Sequence, residues 1–174
     1  MNFRQKISKY FLGFLTTKDI PDIGVTGLEE GLDSKNMRIV AGLAENENPF
    51  LAEDYLLKAI KDFGLTIPDR KEATLNVIIF HADKITSKQV DPYDGFKEID
   101  RTIKQTGFDW DHFDLWYLYC DYIAIWETLS DGLILYDKDK QSKEDYIDKE
   151  KKKLVVNLTK WVNKQTPHNK MLLQ

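Results

Sequence analysis

Acidic side chains recur beside large aromatic ones in one stretch of this chain, between residues 108 and 131. Asp114 and Asp121 are seven residues apart, so on a helix they would point in the same direction, and Asp111 lies about one turn earlier. Carboxylates spaced in this way can bind a cation, or a lysine or arginine of another protein. The same stripe can also be the solvent-exposed edge of a bundle helix, or be matched by internal lysines at 149–153. The spacing alone leaves these interpretations open.

The same segment holds three of the chain's four tryptophans. Nearly every direction around a helix over 113–129 would be apolar, which predicts a helix surrounded by other helices. Tyrosine and tryptophan beside carboxylates are also typical of protein interfaces, because they bury a large area with little loss of rotamer freedom. The residues that we predict to bind a partner are Asp109, Trp110, Asp111, Asp114 and Asp121.

No stretch of the sequence carries a recognisable catalytic, metal-binding or cofactor-binding motif. The histidines, His81, His112 and His168, are isolated in the sequence, whereas a metal site needs at least three convergent ligands. Cys120 is the only cysteine and lies in the apolar segment, away from any basic cluster that would activate it, so we expect a buried, inert thiol. The sequence therefore predicts no metal and no cofactor, and favours a protein that is not an enzyme.

Charge is unevenly distributed along the chain. Residues 138–170 contain ten lysines and five acids, a net charge of +5. Because the whole chain has a net charge of −4, the rest of the chain carries −9. An acidic body repels the phosphates of nucleic acid and attracts a basic protein. We therefore expect a basic protein partner and no binding to nucleic acid.

Membrane insertion and secretion are also disfavoured by the sequence. The apolar segment at 113–129 is interrupted by Asp114, Asp121 and Glu127, and a carboxylate at bilayer depth costs roughly 2.5–3.5 kcal/mol. The N-terminus has too short an apolar run for a secretory signal. Together with the single cysteine, these features favour a cytoplasmic protein that does not bind membranes.

Helical periodicity and capping signals recur through the chain. Asn48-Pro49 and Asp91-Pro92 each pair a capping side chain with a proline at the first helical position, and Gly64 and Gly107 follow the corresponding apolar runs. The pattern also predicts a first helix that ends near residue 16, at most a short glycine-interrupted helix around 25–30, and a helix over the Val-Ile-Ile-Phe run at 77–80. A central helix capped by Asp109 or Asp111 and a last helix over 142–164 follow, separated by a connector at 132–136 that could form one strand-like turn.

These elements predict an all-α fold. Six or seven helices with short connectors favour a single-domain antiparallel helical bundle over 1–165, with a frayed C-terminal tail at 166–174.

The run from Gly27 to Ser34, continuing through Met37-Arg38 and 41–43, resembles a pattern in small bacterial proteins to which no activity is assigned. The following helix, from Asn48-Pro49-Phe50 to Gly64-Leu65, extends this resemblance, which covers about residues 20–105. It implies a helix-rich acidic domain and a bacterial source, and it carries over no catalytic residue.

Three functions follow as hypotheses. The first is a non-enzymatic protein-binding module, of the immunity type that neutralises a basic partner through an acidic, aromatic surface. The alternative is a helical enzyme, or a metal-binding or small-ligand-binding domain, whose carboxylate-lined cleft would bring together Asp114, Asp121 and Glu127 with His112 or His81. The third is a purely structural or regulatory subunit, which would form a homodimer if an apolar face is left uncovered.

Overall fold

The computed structural model describes residues 1–44, 47–130, 136 and 140–170, with side chains described as far as residue 165. Eight α-helices lie within these residues, and no strand occurs among them, which confirms the all-α prediction with slightly more helices than the six or seven expected. They are α1 (Phe3–Phe11), α2 (Ile20–Glu29), α3 (Lys35–Ala41), α4 (Pro49–Asp62), α5 (Arg70–Thr86), α6 (Pro92–Thr106), α7 (Trp116–Leu129) and α8 (Lys143–Lys170). Most of the connector expected at 132–136 lies outside the described residues.

Helix boundaries follow the capping chemistry of the sequence at several places. The Asn48 carboxamide oxygen accepts from the Phe50 N–H at 3.0 Å, and the Asp91 carboxylate accepts from the Tyr93 N–H at 2.9 Å. Each cap is followed by a proline, whose missing N–H would have had no intrahelical partner in any case. Gly107 closes α6 in the left-handed conformation at φ 71°. These predicted boundaries are confirmed.

The glycine-rich stretch after α1 differs from the prediction. It forms α2, a helix of ten residues, rather than a short fragment at 25–30. Pro21 lies in the first turn, where it is compatible with a helix, and Gly24 is used for packing. A Cβ at Gly24 would lie 2.5 Å from the Ala41 backbone nitrogen, so the glycine allows α2 to pack closely against α3. The first helix is correspondingly shorter than predicted and ends at Phe11.

Residues 1–77 form one compact unit. Its core is built from α1 to α4 by a cluster of buried apolar side chains, which includes Phe3, Ile7, Ile20, Ile23, Met37, Val40, Leu56 and Ile60. Within this unit the buried Asn76 carboxamide donates to the Ser8 hydroxyl at 3.0 Å, and Arg4 forms an ion pair with Glu72. These contacts attach the first half of α5 to α1.

Residues 78–174 form the second compact unit, which contains α6, α7 and α8. Helices α7 and α8 run antiparallel, because Phe113, just before α7, contacts Trp161 while Asp121, further along, contacts Lys153. The α8 backbone continues to Lys170, beyond the predicted end at 164 and into the expected tail, of which 171–174 lie outside the described residues. The buried apolar side chains of the unit include Phe96, Ile99, Ile103, Leu115, Leu118, Ile125, Leu154 and Leu158. The expectation of one domain over 1–165 stays a prediction.

Candidate functional site

Helix α7 has one buried face and one exposed face. Leu118, Tyr122 and Ile125 are buried, and the helix packs against α6 and α8. In contrast, Trp116 is 49% exposed and Tyr117 is 82% exposed. The prediction of a helix enclosed on all sides is therefore wrong, because a sequence that is apolar all round does not distinguish an enclosed helix from one that presents aromatic rings to solvent.

Three carboxylates lie at the start of α7, on and around a short 3₁₀ turn formed by Trp110–Phe113. Asp109, Asp111 and Asp114 are all exposed. The turn is closed locally, because the Asp109 N–H donates to His112 Nδ1 at 3.2 Å. Asp114 follows in the left-handed conformation at φ 55°, which aspartate and asparagine adopt more readily than most residues. The predicted cap of α7 at Asp109 or Asp111 is therefore wrong, since this turn intervenes and α7 begins at Trp116.

Contacts of Trp110 and Trp161 hold the 3₁₀ turn in position. Trp110 is only 9% exposed and is stacked between Phe96, at 5.6 Å between ring centroids, and Tyr119, at 4.4 Å. The buried Trp161 indole N–H donates to the Phe113 carbonyl at 2.7 Å, which ties the turn to α8. Trp110, predicted as a partner-binding residue, is thus a core residue that supports the neighbouring carboxylates.

Asp121 also lies inside the second unit rather than on its surface. Its carboxylate accepts from Lys153 Nζ at 2.6 Å and from Asn157 Nδ2 at 2.9 Å. Among the interpretations left open for this acid, the structure shows pairing with a lysine within 149–153, namely Lys153. The hydrogen bond with Asp121 raises the pKa of Lys153, although partial burial acts in the opposite direction. The charge of Asp121 is therefore neutralised locally and adds little to the acidic surface.

A groove of about 550 Å³ separates the first half of α7 from α8. Asp114 and Asp121 line it from one side, and Lys153, Lys160 and Lys164 line it from the other. Because the two sides carry opposite charge, pairing between these acids and lysines is favoured over the binding of a free ion of either sign.

Of the carboxylates expected in the cleft of the alternative function, only two are brought together. Asp114 and Asp121 share the α7–α8 groove, whereas Glu127 is turned about 120° away from Asp121 around α7, at 100° per residue. The described residues contain no group of three or more histidine, cysteine or acidic side chains that could hold a metal ion.

Sequence reasoning missed a buried acid beneath the aromatic rings. The Asp100 carboxylate accepts from Lys104 Nζ at 2.7 Å through one oxygen, while its other oxygen is buried with no hydrogen-bond partner among the described residues. Tyr122 lies near this carboxylate and stacks on Tyr93 at 5.3 Å. Burial, together with the nearby Tyr93 and Asp100, raises the pKa of Tyr122 to about 12. The four-residue spacing between Asp100 and Lys104 is the one sequence signal for this pair.

The outer face of α7 contains a further feature that the sequence did not predict. Cys120, expected to be buried, is exposed. It lies one turn beyond Trp116, and Trp126, which is 44% exposed, follows further along the helix. The exposed aromatic side chains of α7 are thus Trp116, Tyr117 and Trp126, whereas Trp110 before it is buried.

Comparisons of this chain with models of known protein families, with curated proteins and with solved structures found no match. The resemblance to small bacterial proteins therefore stays an expectation from sequence. Among the helices described, none is both long enough and apolar enough to cross a membrane.

Proposed function

We propose that this protein is a non-enzymatic protein-binding module that holds a basic partner on one surface of its second unit. That surface consists of Asp109, Asp111, Asp114, Trp116 and Tyr117, and we call it the acidic–aromatic surface. The observation that carries the proposal is the exposure of Tyr117 and Trp116 immediately after three exposed carboxylates. Exposed aromatic side chains of this size beside acids are typical of anchors in protein interfaces.

Charge and shape each contribute to such an interface. The carboxylates attract lysine and arginine side chains and increase the rate of encounter with a basic protein. Trp116 and Tyr117 then supply apolar contact area with few rotatable bonds to immobilise. Rigid support for this arrangement comes from the stacked Trp110 and from the hydrogen bond between Trp161 and Phe113.

A finer proposal is that the partner is a basic toxin, which the module neutralises by covering its active site, in the cytoplasm. The excess negative charge of the chain outside residues 138–170 and its lone cysteine support this version. A homodimer through the exposed face of α7 is a competing use of the same rings.

The experiment is a triple substitution of Asp109, Asp111 and Asp114 by asparagine. Asparagine retains the shape of aspartate and tolerates the left-handed conformation at 114, so the fold is preserved while three charges are removed. A protein captured by the wild-type chain from an extract of its own cells is identified, purified and titrated against wild type and variants. Exposed charge pairs contribute about 0.2–1 kcal/mol each, so we expect binding to weaken about tenfold and the salt dependence to become smaller.

The matched control replaces the exposed acids Glu29, Asp54 and Glu144 by their amides, which removes the same charge elsewhere. We expect this control to bind within about twofold of wild type. A triple asparagine variant that binds as tightly as wild type, or a control that weakens binding equally, would remove the acidic–aromatic surface from the proposal. A shift from monomer to dimer with protein concentration, lost on Trp116→Ala, would instead favour the homodimer.

A further inference from the structure

A second groove, of about 710 Å³, lies in the second unit between the C-terminal end of α5, the connector to α6, and α8. We call it the α5–α8 groove. Its size falls within the range of about 300–1,000 Å³ that is typical of small-molecule sites. It lies apart from the acidic–aromatic surface, since none of its lining residues belongs to α7 or to the 3₁₀ turn. A ligand here would serve a function other than the binding of a basic protein.

The floor of this groove is aliphatic. Ile85, which is only 1% exposed, lines it from the end of α5, Val90 lines it from the connector to α6, and Val155 and Val156 line it from α8. Ile85 and Val90 are held in place by contact with Gly95, where a Cβ would lie 2.4 Å from Ile85 Cγ1 and 2.8 Å from Val90 Cγ2. Val156 is 53% exposed although it faces an apolar groove. The floor therefore offers apolar contact without hydrogen-bonding groups of its own side chains.

Three of the five charged residues that line the groove lie on α8. Asp148, Lys151 and Lys152 precede Val155 and Val156 on the same side of the helix. Lys151 pairs with Asp91 at 2.8 Å, so that charge is already matched. The remaining charged residues of the lining are Lys88, Lys152 and Asp148, so the lining as a whole carries +1. The lining thus combines aliphatic side chains with a small excess of positive charge.

Lys88 occupies a backbone position that glycine would fill at lower cost. Helix α5 ends with hydrogen bonds from Lys88 N to Ile85 O at 3.0 Å and from Gln89 N to Lys84 O at 2.9 Å. This pattern places its central residue in the left-handed region, and Lys88 has φ 60°. A side chain there is strained relative to glycine, and such strain is concentrated at functional sites. The strained lysine lines the α5–α8 groove.

We propose that the α5–α8 groove binds a single-chain anionic amphiphile, a medium-chain carboxylate of the fatty-acid type. The alkyl chain lies on Ile85, Val90, Val155 and Val156, and the carboxylate contacts the ammonium groups of Lys88 and Lys152. A peptide fits this groove less well, because its backbone amides would meet an aliphatic floor that satisfies none of their hydrogen bonds. An anion fits better than a cation, because lysines outnumber acids in the lining.

The test uses the full chain and decanoate below its micelle concentration, measured by calorimetry and by amide chemical shifts. We expect saturable binding that moves the amides of 85–92 and 148–156 rather than those of α7. Val156→Asp should weaken binding at least tenfold, because it places a charge on the apolar floor, and Lys152→Glu should weaken it at least fivefold. Lys160→Glu is the control, since Lys160 lies on α8 but lines the other groove, and it should bind within twofold of wild type.

Decyltrimethylammonium, with the same chain and the opposite charge, tests the headgroup and should bind at least fivefold more weakly than decanoate. Lys88→Gly relieves the left-handed strain, so it should unfold at higher urea and yet bind decanoate more weakly. The proposal is overturned if decanoate shows no saturable binding, if the cation binds equally well, or if folded Val156→Asp and Lys152→Glu behave as wild type. Unchanged decanoate affinity in Lys88→Gly would likewise remove Lys88 from the site.

Discussion

Replacing Trp161 by phenylalanine tests how the acidic–aromatic surface is held in place. The Trp161 indole is 5% exposed, and its N–H donates to the Phe113 carbonyl at the end of the 3₁₀ turn. Phenylalanine fills much of the same space but has no donor. The substitution therefore removes the hydrogen bond and leaves the Phe113 carbonyl without it, while most of the packing of α8 is retained.

The expected loss of stability has two parts. A buried polar group left without its partner costs about 1–3 kcal/mol. The smaller ring leaves a modest void, which adds about 1 kcal/mol by comparison with other large-to-small core changes. We therefore expect Trp161→Phe to lower the free energy of unfolding by about 2–4 kcal/mol. This is a large fraction of the 5–15 kcal/mol that is typical of a folded domain.

Urea unfolding followed by tryptophan fluorescence measures this loss directly. All four tryptophans lie in residues 78–174, so the signal reports the second unit and not the first. Trp126→Phe is the matched control, because Trp126 is 44% exposed and should cost less than about 1 kcal/mol. Faster amide exchange at 109–115 in Trp161→Phe would show that the turn has loosened. A loss no larger than that of Trp126→Phe would refute the assignment of Trp161 as the anchor of the turn.

Four further outcomes are expected. Gly24→Ala should destabilise the first unit by about 1–3 kcal/mol, because the new Cβ would meet the Ala41 backbone, although alanine has the better helix propensity. Gly42→Ala should cost less than about 1 kcal/mol. Unfolding followed by far-ultraviolet circular dichroism distinguishes the two variants. Lys88→Gly should stabilise the chain by about 0.5–1 kcal/mol in urea, and a loss of stability would contradict the strain argument. The pKa of Tyr122 is raised to about 12 from 10, so the stability that its neutral hydroxyl contributes is complete below pH 10 and is lost as the pH rises toward 12. In Tyr122→Phe this alkaline loss of stability, of up to about 2 kcal/mol, should be absent when urea midpoints are measured against pH. Burial acts to raise the pKa of Asp91, but the contacts with Lys151 and the Tyr93 N–H outweigh it and lower the pKa. The stability that the Asp91 carboxylate contributes is therefore present above about pH 4 and is lost as the pH falls further. An Asp91→Asn variant whose acid unfolding profile matches wild type would contradict this.

Local chemistry explains what could be predicted from the sequence. The boundaries of α4 and α6 follow from a capping side chain, a proline and a terminal glycine, all within a few residues of one another. Pairing of Asp121 with a lysine of α8 is one of the interpretations that the sequence leaves open, because a buried carboxylate requires a positive partner and the last helix is rich in lysine. Both inferences need only short-range or generic physical rules.

Tertiary packing decides the features that the sequence did not predict. Gly24 is indistinguishable in sequence from a helix-breaking glycine until α3 is seen to pack against it. Which tryptophan is buried is likewise set by tertiary contacts, because Trp110 stacks between Phe96 of α6 and Tyr119 whereas Trp116 stays half exposed.

The exposed thiol of Cys120 gives this protein a single attachment point for a fluorophore. Because the chain has no other cysteine, a maleimide dye would label one position, and that position lies one turn beyond Trp116 on the outer face of α7. Quenching between the dye and Trp116 would then change when that face becomes covered. A dye on Cys120 would thus report the binding of a partner to α7, and because Cys120 is exposed the label would not disturb the core.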